Sequence, residues 1–363
     1  MNATNISIAV REANAKRPYV LVNHLMAKHV PSDPAQTLLY FESLGKKTAL
    51  ETKGKMALVI GFAETATAIG TAVASQIPNC VYTHTTRETY PIDKHIVSFS
   101  EEHSHATQHT LFSSLPRRDF QNFECVVFVD DEISTARTIR NFVRELQEKH
   151  IISQNARIIA ASLLSGGTSG ENLDAISAER VFLSETPKID FNERIARFSK
   201  FLPDVDFKRE NIIPKIIEIS GFADPRLGVL MSDYDKACLE FAKKTAASIR
   251  HDNKNVLVMG TEEFMYPALV AGRMIAREAK SVKVHATTRS PIMPCREDGY
   301  PLFSRATLRS FYDDERVTFI YNLQKYDAVI VLTDSAYTGI GVSDLLCALK
   351  HAGNDVTIVR WKK

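Results

Sequence analysis

The chain has 363 residues, 44% apolar and 24% charged, the make-up of a globular protein too long for one ordinary core and suited to two domains. Its 45 basic and 43 acidic residues leave a net charge of +2, so no bulk field marks a nucleic-acid partner. Cys80, Cys125, Cys238, Cys295 and Cys347 lie far apart without a CxxC, which excludes a disulfide framework and a zinc ribbon. No apolar signal region or membrane-length run is present, so no membrane partner is expected and the cytoplasm is the default location.

In chain order, the first chemical signal is residues 57–60, ALVI, a predicted buried strand that ends at Gly61. FAETAT then opens a helix carrying Ile69, Val73 and Ile77. Free N–H groups at such a start, with the hydroxyls of Thr65 and Thr67, suit an anion. Glu64 does not, and points to a cation or a sugar instead. An ordinary βα turn is the alternative reading. Residues 81–83 predict a second strand, with Arg87 just beyond it. Its guanidinium can grip phosphate oxygens in pairs, or be a surface group at a strand end. Segment 100–109, SEEHSHATQH, places His103, His105 and His109 within seven positions on a polar loop. They suit charge neutralisation or proton transfer. Zinc would lack an obvious fourth ligand, and a solvated loop without chemistry fits equally well.

The most informative segment is 125–141, CVVFVDDEISTARTIRN. Residues 126–129 predict a buried strand that ends in Asp130 and Asp131. Ser134-Thr135 follow, and Ile139, Phe142, Val143 and Leu146 then line one face of a helix. N–H groups at the helix start can hold a phosphate. The carboxylates just before can accept sugar hydroxyls or hold a hydrated Mg²⁺. Together they select a sugar phosphate, the alternative being acids that merely cap a helix. A strand over 157–164 and the segment SGGTSG close the first unit. Residues 186–225 carry Pro187, Pro203, Pro214 and Pro225 among charges and read as a connector. A helix over 234–250, with Ala237, Phe241, Ala242 and Thr245 on one face, opens a second unit.

Three blocks then recur in order. Leu58-Val59-Ile60-Gly61 returns as Leu257-Val258-Met259-Gly260, and Glu64 as Glu263. Thr85-Thr86-Arg87 returns as Thr287-Thr288-Arg289. Residues 125–131 return as 328–334, at offsets of 199, 202 and 203. The helical face repeats as Val342, Leu345, Leu346 and Leu349. Order, spacing and amphipathic phase together argue for two related α/β units. The second keeps Asp334 and gains Thr338-Gly339, but has Thr333 in place of the first acid.

Segment 125–141 resembles the phosphoribosyl-pyrophosphate (PRPP) motif of type I phosphoribosyltransferases. Thr288-Arg289-Ser290-Pro291 resembles the TRSP domain, which occurs C-terminal to such a transferase in bacterial tellurite-resistance and stress-response gene clusters. HLMAKHVP, residues 24–31, resembles that family's opening segment. The resemblance spans roughly residues 17 to 350. It implies two phosphoribosyltransferase-like, Rossmann-like units in tandem, each built on a mostly parallel sheet, the second diverged. The expected domains are 1–185 with an N-terminal hood, a connector at 186–225, and 226–363 as the TRSP domain.

By the same resemblance, Ala63, Glu64, Thr65, Ala66 and Thr67 form the pyrophosphate loop, with Arg87 beside it. Asp130 and Asp131 are catalytic, receiving the ribose hydroxyls and Mg²⁺. Glu132 and Ile133 lead into Ser134, Thr135, Ala136, Arg137 and Thr138, which wrap the 5′-phosphate. His103 and His105 lie where the family closes a mobile loop, and Lys28 and His29 where a hood selects the acceptor. Thr288, Arg289, Ser290, Asp334, Thr338 and Gly339 are the second unit's ligand residues, if that unit is more than structural. One departure is Ala136, where the family has glycine, because alanine does not take positive φ cheaply. The implied activity is transfer of ribose 5-phosphate from PRPP to a base-like acceptor, releasing pyrophosphate, in a stress-linked nucleoside-like pathway. A homodimer is the family-level expectation. A non-catalytic PRPP or nucleotide sensor stays open, as does a PRPP synthetase, although no ATP loop is evident.

Overall fold

Apolar runs without polar breaks become parallel strands, and the segments of helical period between them become the covering helices. The computed structural model describes residues 5–12, 14, 17–100, 108–187, 189–210 and 212–363. Strands β1 (Ile6–Val10) and β2 (Tyr19–Asn23) pair antiparallel. Helix α1 (Pro34–Thr52) starts at Asp33, whose carboxylate accepts the N–H groups of Ala35 and Gln36 at 3.0 and 2.9 Å. Next come β3 (Ala57–Gly61), α2 (Thr67–Ala74), β4 (Cys80–His84) and the antiparallel pair β5 (His95–Ser100) and β6 (Gln108–Phe112). They are followed by β7 (Cys125–Ile133), α3 (Arg137–Glu148), β8 (Arg157–Ser165), α4 (Gly170–Asp174) and β9 (Glu179–Glu185).

The chain continues through α5 (Phe191–Ala196), β10 (Ile216–Ser220), β11 (Val229–Leu230), α6 (Met231–Ser248), β12 (Asn255–Gly260), α7 (Tyr266–Ile275) and β13 (Ser281–Ala286). The antiparallel pair β14 (Arg305–Arg309) and β15 (Val317–Tyr321) precedes β16 (Ala328–Thr333), α8 (Ile340–His351) and β17 (Val356–Lys362). Among the described residues, no helix is long and apolar enough to cross a membrane.

One compact unit comprises Leu38–Thr186 and Ala223–Ala237. Its sheet has the order β11-β4-β3-β7-β8-β9, parallel except for β11. Its core joins Leu58, Ile60, Val126 and Phe128 of the central strands to Ile139, Phe142, Val143 and Leu146, the predicted face of α3. The other unit comprises Met1–Thr37, Pro187–Phe222 and Cys238–Lys363. Its sheet, β10-β17-β16-β12-β13, is wholly parallel. There Leu257, Met259, Val329 and Val331 pack with Val342, Leu345, Leu346 and Leu349 of α8. All five cysteines are free and buried; burial pushes the Cys125 thiol up to about 11, so it acts as a small apolar group.

Two placements differ from the sequence expectation. Residues 1–37, expected as a hood of the first unit, group with the C-terminal half. Arg11 bridges to Ile292, Ser32 to Val284, and Lys28 Nζ donates to the carbonyl of Glu262 at 2.8 Å. These backbone partners lie more than two hundred positions away, where no local pattern reports them. The expected connector is also more than a link. It contains α5 and delivers β10, which pairs in parallel with β17 as an edge of the C-terminal sheet. Prolines 187, 203 and 214 lie outside these elements, which is why a proline-rich composition conceals them.

Candidate active site

In the N-terminal unit the chain passes from β3 outward to β4 on one side, and through β7 to β8 and β9 on the other. The order therefore reverses between β3 and β7, and in open α/β sheets ligands bind beyond the strand C-termini at such a switch point. Gly61 pairs in register with Val129, and Phe62 N donates to Val129 O at 3.0 Å. This places residues 62–67 beside Asp130 and Asp131.

The loop after β3 is a tight, buried turn. Ala66 N donates to Phe62 O at 3.0 Å, and Ala63 N to Thr85 Oγ1 at 2.9 Å. A Cβ on Gly61 would meet Ala66 O at 3.0 Å, and one on Gly70 would meet Gly61 Cα at the same distance. The two glycines thus let α2 approach β3 closely. Ala63, Glu64, Ala66 and Thr67 are buried and Thr65 is half-exposed. Thr67 Oγ1 donates to Glu64 O at 3.4 Å, so Thr65 is the more accessible hydroxyl of the expected pair. Arg87 is half-buried beyond β4. Thr86 just before it exchanges backbone hydrogen bonds with Thr110 at 2.9 and 3.0 Å, which fixes the strand end to β6. His103 and His105, in the expected mobile loop, lie outside the described residues.

Strand β7 does not stop at the acids, as the sequence suggested, but runs on through Ile133 because β8 continues to pair with it up to Ser165. Asp130, Asp131 and Glu132 are half-buried, and Asp130 Oδ1 accepts Asp131 N at 2.9 Å. Beyond them Ala136 takes φ 58°, ψ 11° and serves as N-cap of α3. This residue thus adopts the left-handed turn for which the family uses glycine. Holding alanine there costs about 1 kcal/mol relative to glycine. Ala136→Gly should accordingly raise stability by about 1 kcal/mol, read as a gain of roughly 2–4 °C in thermal unfolding. A lower midpoint would contradict the loop geometry.

The loop's carbonyls are turned away from any anion. Ile133 O accepts Gly166 N at 2.7 Å, Ser134 O accepts Thr168 Oγ1 at 3.1 Å, and Thr135 O accepts Asn172 Nδ2 at 2.8 Å. Arg140 Nη1 in turn holds Asn172 Oδ1 at 2.5 Å. With three carbonyls committed elsewhere, an anion at the start of α3 meets N–H dipoles with little carbonyl repulsion. A Cβ on Gly166 would stand 2.9 Å from Ser134 O, so the support loop needs glycine to come this close. Gly166 and Thr168 lie in the segment SGGTSG that sequence marks only as the close of the first unit, and Asn172 lies just beyond it; the local signal is a run of small hydroxyl-bearing residues. Ser134, Thr135 and Thr138 are half-exposed and Arg137 is exposed.

The C-terminal unit has the same kind of reversal, between β12 and β16. Glu262, which the sequence did not single out, is fully buried beyond β12. Its carboxylate accepts Arg289 Nε at 2.6 Å, Arg316 Nη1 at 3.3 Å and the Ser310 hydroxyl. Asp334 Oδ1 accepts the Tyr312 hydroxyl at 2.6 Å. Thr288 is buried and Ser290 half-buried, while Thr338 is exposed and Gly339 is the N-cap of α8. The structure thus brings Arg289 and Asp334 to the switch point. Lys28 and His29, expected at the acceptor of the first unit, belong to this unit: Lys28 is buried and also donates to Thr287 O at 3.4 Å.

Residues 6–181 match the family described as phosphoribosyl transferase. Residues 224–349 match the TRSP domain, described as lying C-terminal to that transferase domain. The chain belongs to the phosphoribosyltransferases that carry a C-terminal TRSP domain, enzymes of the pentosyltransferase class. No curated protein matches it significantly. Among solved structures, adenine phosphoribosyltransferase from Trypanosoma brucei, in complex with AMP, pyrophosphate and ribose-5-phosphate, aligns at 12% identity with a TM-score of 0.35. The alignment covers 50% of this chain and 76% of that one.

Proposed function

We propose that the N-terminal unit transfers ribose 5-phosphate from PRPP to a nitrogenous, base-like acceptor and releases pyrophosphate. The observation that carries this reading is the approach to α3, where the carbonyls of Ile133, Ser134 and Thr135 are tied back beside two acids, which favours a phosphate on the N–H groups of residues 134–138. In the reaction, an acceptor nitrogen bonds to C1 of ribose as the C1–O bond to pyrophosphate breaks. The 5′-phosphate rests on residues 134–138 and the start of α3. Asp130 and Asp131 accept the ribose hydroxyls and stabilise positive charge developing on the sugar. Arg87 and the hydroxyl of Thr65 receive the departing pyrophosphate, so that catalysis is largely positioning and electrostatics.

The acid pair also fits Mg²⁺. Its donors are hard carboxylate oxygens, and among the described residues no third histidine, cysteine or carboxylate closes a three-ligand cage around them. Mg²⁺ favours such an open site, because it retains waters and substrate oxygens; when bound it would neutralise the diphosphate. The C-terminal unit is read as a tandem, diverged copy, supported by the shared reversal of strand order and the repeated sequence blocks. The acceptor belongs to a nucleoside-like pathway linked to stress, the protein works in the cytoplasm as a homodimer, and it needs neither nucleic acid nor membrane. Ala136 and the diverged second unit favour a sensor that binds PRPP without turnover; Ala136 adopting the glycine-type turn weakens the first of these grounds.

Calorimetric titration with PRPP and Mg²⁺ tests the site. Wild type should bind in a Mg²⁺-dependent way, and the folded Asp130→Asn/Asp131→Asn variant should lose at least about tenfold in affinity, or 1.4 kcal/mol. Equal binding by both would remove the acids from the site.

A further inference from the structure

We propose that the C-terminal unit contains a latent diphosphate site, held shut by the chain's own Glu262. The proposal rests on the reading of the units as diverged copies, and backbone hydrogen bonds set the correspondence. Ala63 N donates to Thr85 Oγ1 at 2.9 Å, and Glu262 N to Thr287 Oγ1 at 3.0 Å. Thr85 N donates to Gly61 O at 3.0 Å, and Thr287 N to Gly260 O at 3.3 Å. Glu88 N donates to Thr86 Oγ1 at 3.0 Å, and Ser290 N to Thr288 Oγ1 at 3.2 Å. Glu262 therefore stands where the N-terminal unit has Ala63, and Arg289 where it has Arg87. One copy offers a methyl group at this position and the other a carboxylate.

The surroundings of that carboxylate are those of a bound phosphoryl group. Two guanidinium groups, Arg289 and Arg316, and the Ser310 hydroxyl converge on its two oxygens. Arg289 is also 3.9 Å from Glu263. Arginine forks are matched to paired anionic oxygens, and two such cations are not kept at a buried position without a counter-anion. Glu262 supplies it from within the chain.

A second carboxylate repeats the device at the helix start. Asp314, between β14 and β15, accepts Gly341 N at 3.1 Å in the first turn of α8 and the Tyr337 hydroxyl at 2.5 Å. The Tyr337 hydroxyl holds its carboxyl below the usual carboxylate range. In the N-terminal unit the corresponding helix start, that of α3, is the proposed 5′-phosphate position. Both phosphate positions of the C-terminal unit thus hold side-chain carboxylates. A free or esterified diphosphate enters only when Glu262 withdraws.

Calorimetry with inorganic pyrophosphate and Mg²⁺ tests this by stoichiometry. Glu262→Ala, which installs the residue of the other copy, should bind one equivalent more than wild type. Adding Arg289→Ala should abolish that extra equivalent. A folded Glu262→Ala protein with no extra equivalent overturns the proposal, and so does wild type whose own binding is lost with Arg289→Ala. Wild type that binds none, beside a variant that binds one, would instead count against the N-terminal site and leave this proposal standing. Should Glu262→Ala not fold alone, its refolding yield in graded pyrophosphate decides: recovery supports a latent site, and no recovery shows Glu262 to be a structural counter-ion only.

Discussion

Asp131→Asn should lower the rate of pyrophosphate release from PRPP by at least about 10²–10³-fold, the range found when one preorganised electrostatic group is removed from a reacting centre. Asp131 lies on β7, between β3 and β8, at the C-terminal edge of a parallel sheet. Asparagine matches its shape, so the strand pairing that fixes the side chain survives. Charge is what is lost. The thermal midpoint should stay within a degree or two of wild type, since a half-buried isosteric change of this kind rarely exceeds 0.5 kcal/mol. Undiminished turnover in the folded variant, with the acceptor identified by screening, would sink the assignment of the acid pair.

The second large effect is on stability. Gly341→Ala places a Cβ 1.8 Å from the Ser310 carbonyl oxygen and 2.4 Å from the Ser310 carbonyl carbon. Both are backbone atoms, so no side-chain rotation relieves the clash, and the start of α8 must part from the end of β14. Overpacking commonly costs 1–3 kcal/mol, and this collision lies beyond the typical case. A loss of about 3 kcal/mol or more is expected, or roughly 6–12 °C in differential scanning calorimetry. Gly167→Ala is the matched control: its Cβ would meet nothing within 4 Å, and its midpoint should not move. Equal midpoints for the two variants would contradict the packing of α8 on β14.

The interaction that ties Glu262 into its unit shows how far local reading reaches. Glu263 is visible as the repeat of Glu64, yet Arg289 pairs more closely with the residue beside it, at 2.6 Å against 3.9 Å. Nothing in the dipeptide distinguishes the two, because Ser310 lies 48 residues on and Arg316 54. Ala136 shows the opposite case. A small residue between Thr135 and a helix of clear period marked the turn before α3, and Ala136 takes the left-handed conformation there even though the expected glycine is absent.

Several features were determined by sequence alone. They are the central strands, the buried faces of α3 and α8, the acid pair at the C-terminal end of β7 and the recurrence of three blocks. Each depends on residues within about one turn or one strand of each other, where the periods of 3.6 and 2 encode which side is buried. Tertiary structure decided the rest. It grouped residues 1–37 with the C-terminal half, drew β10 out of a proline-rich stretch to complete a sheet edge, and extended β7 past its acids by pairing with β8. It also turned the carbonyls of Ile133, Ser134 and Thr135 onto Gly166, Thr168 and Asn172, and gave Arg289 its carboxylate. The reason is common to all: a backbone or charged group left without water must find a partner, and in each case that partner lies too far along the chain for a local pattern to specify.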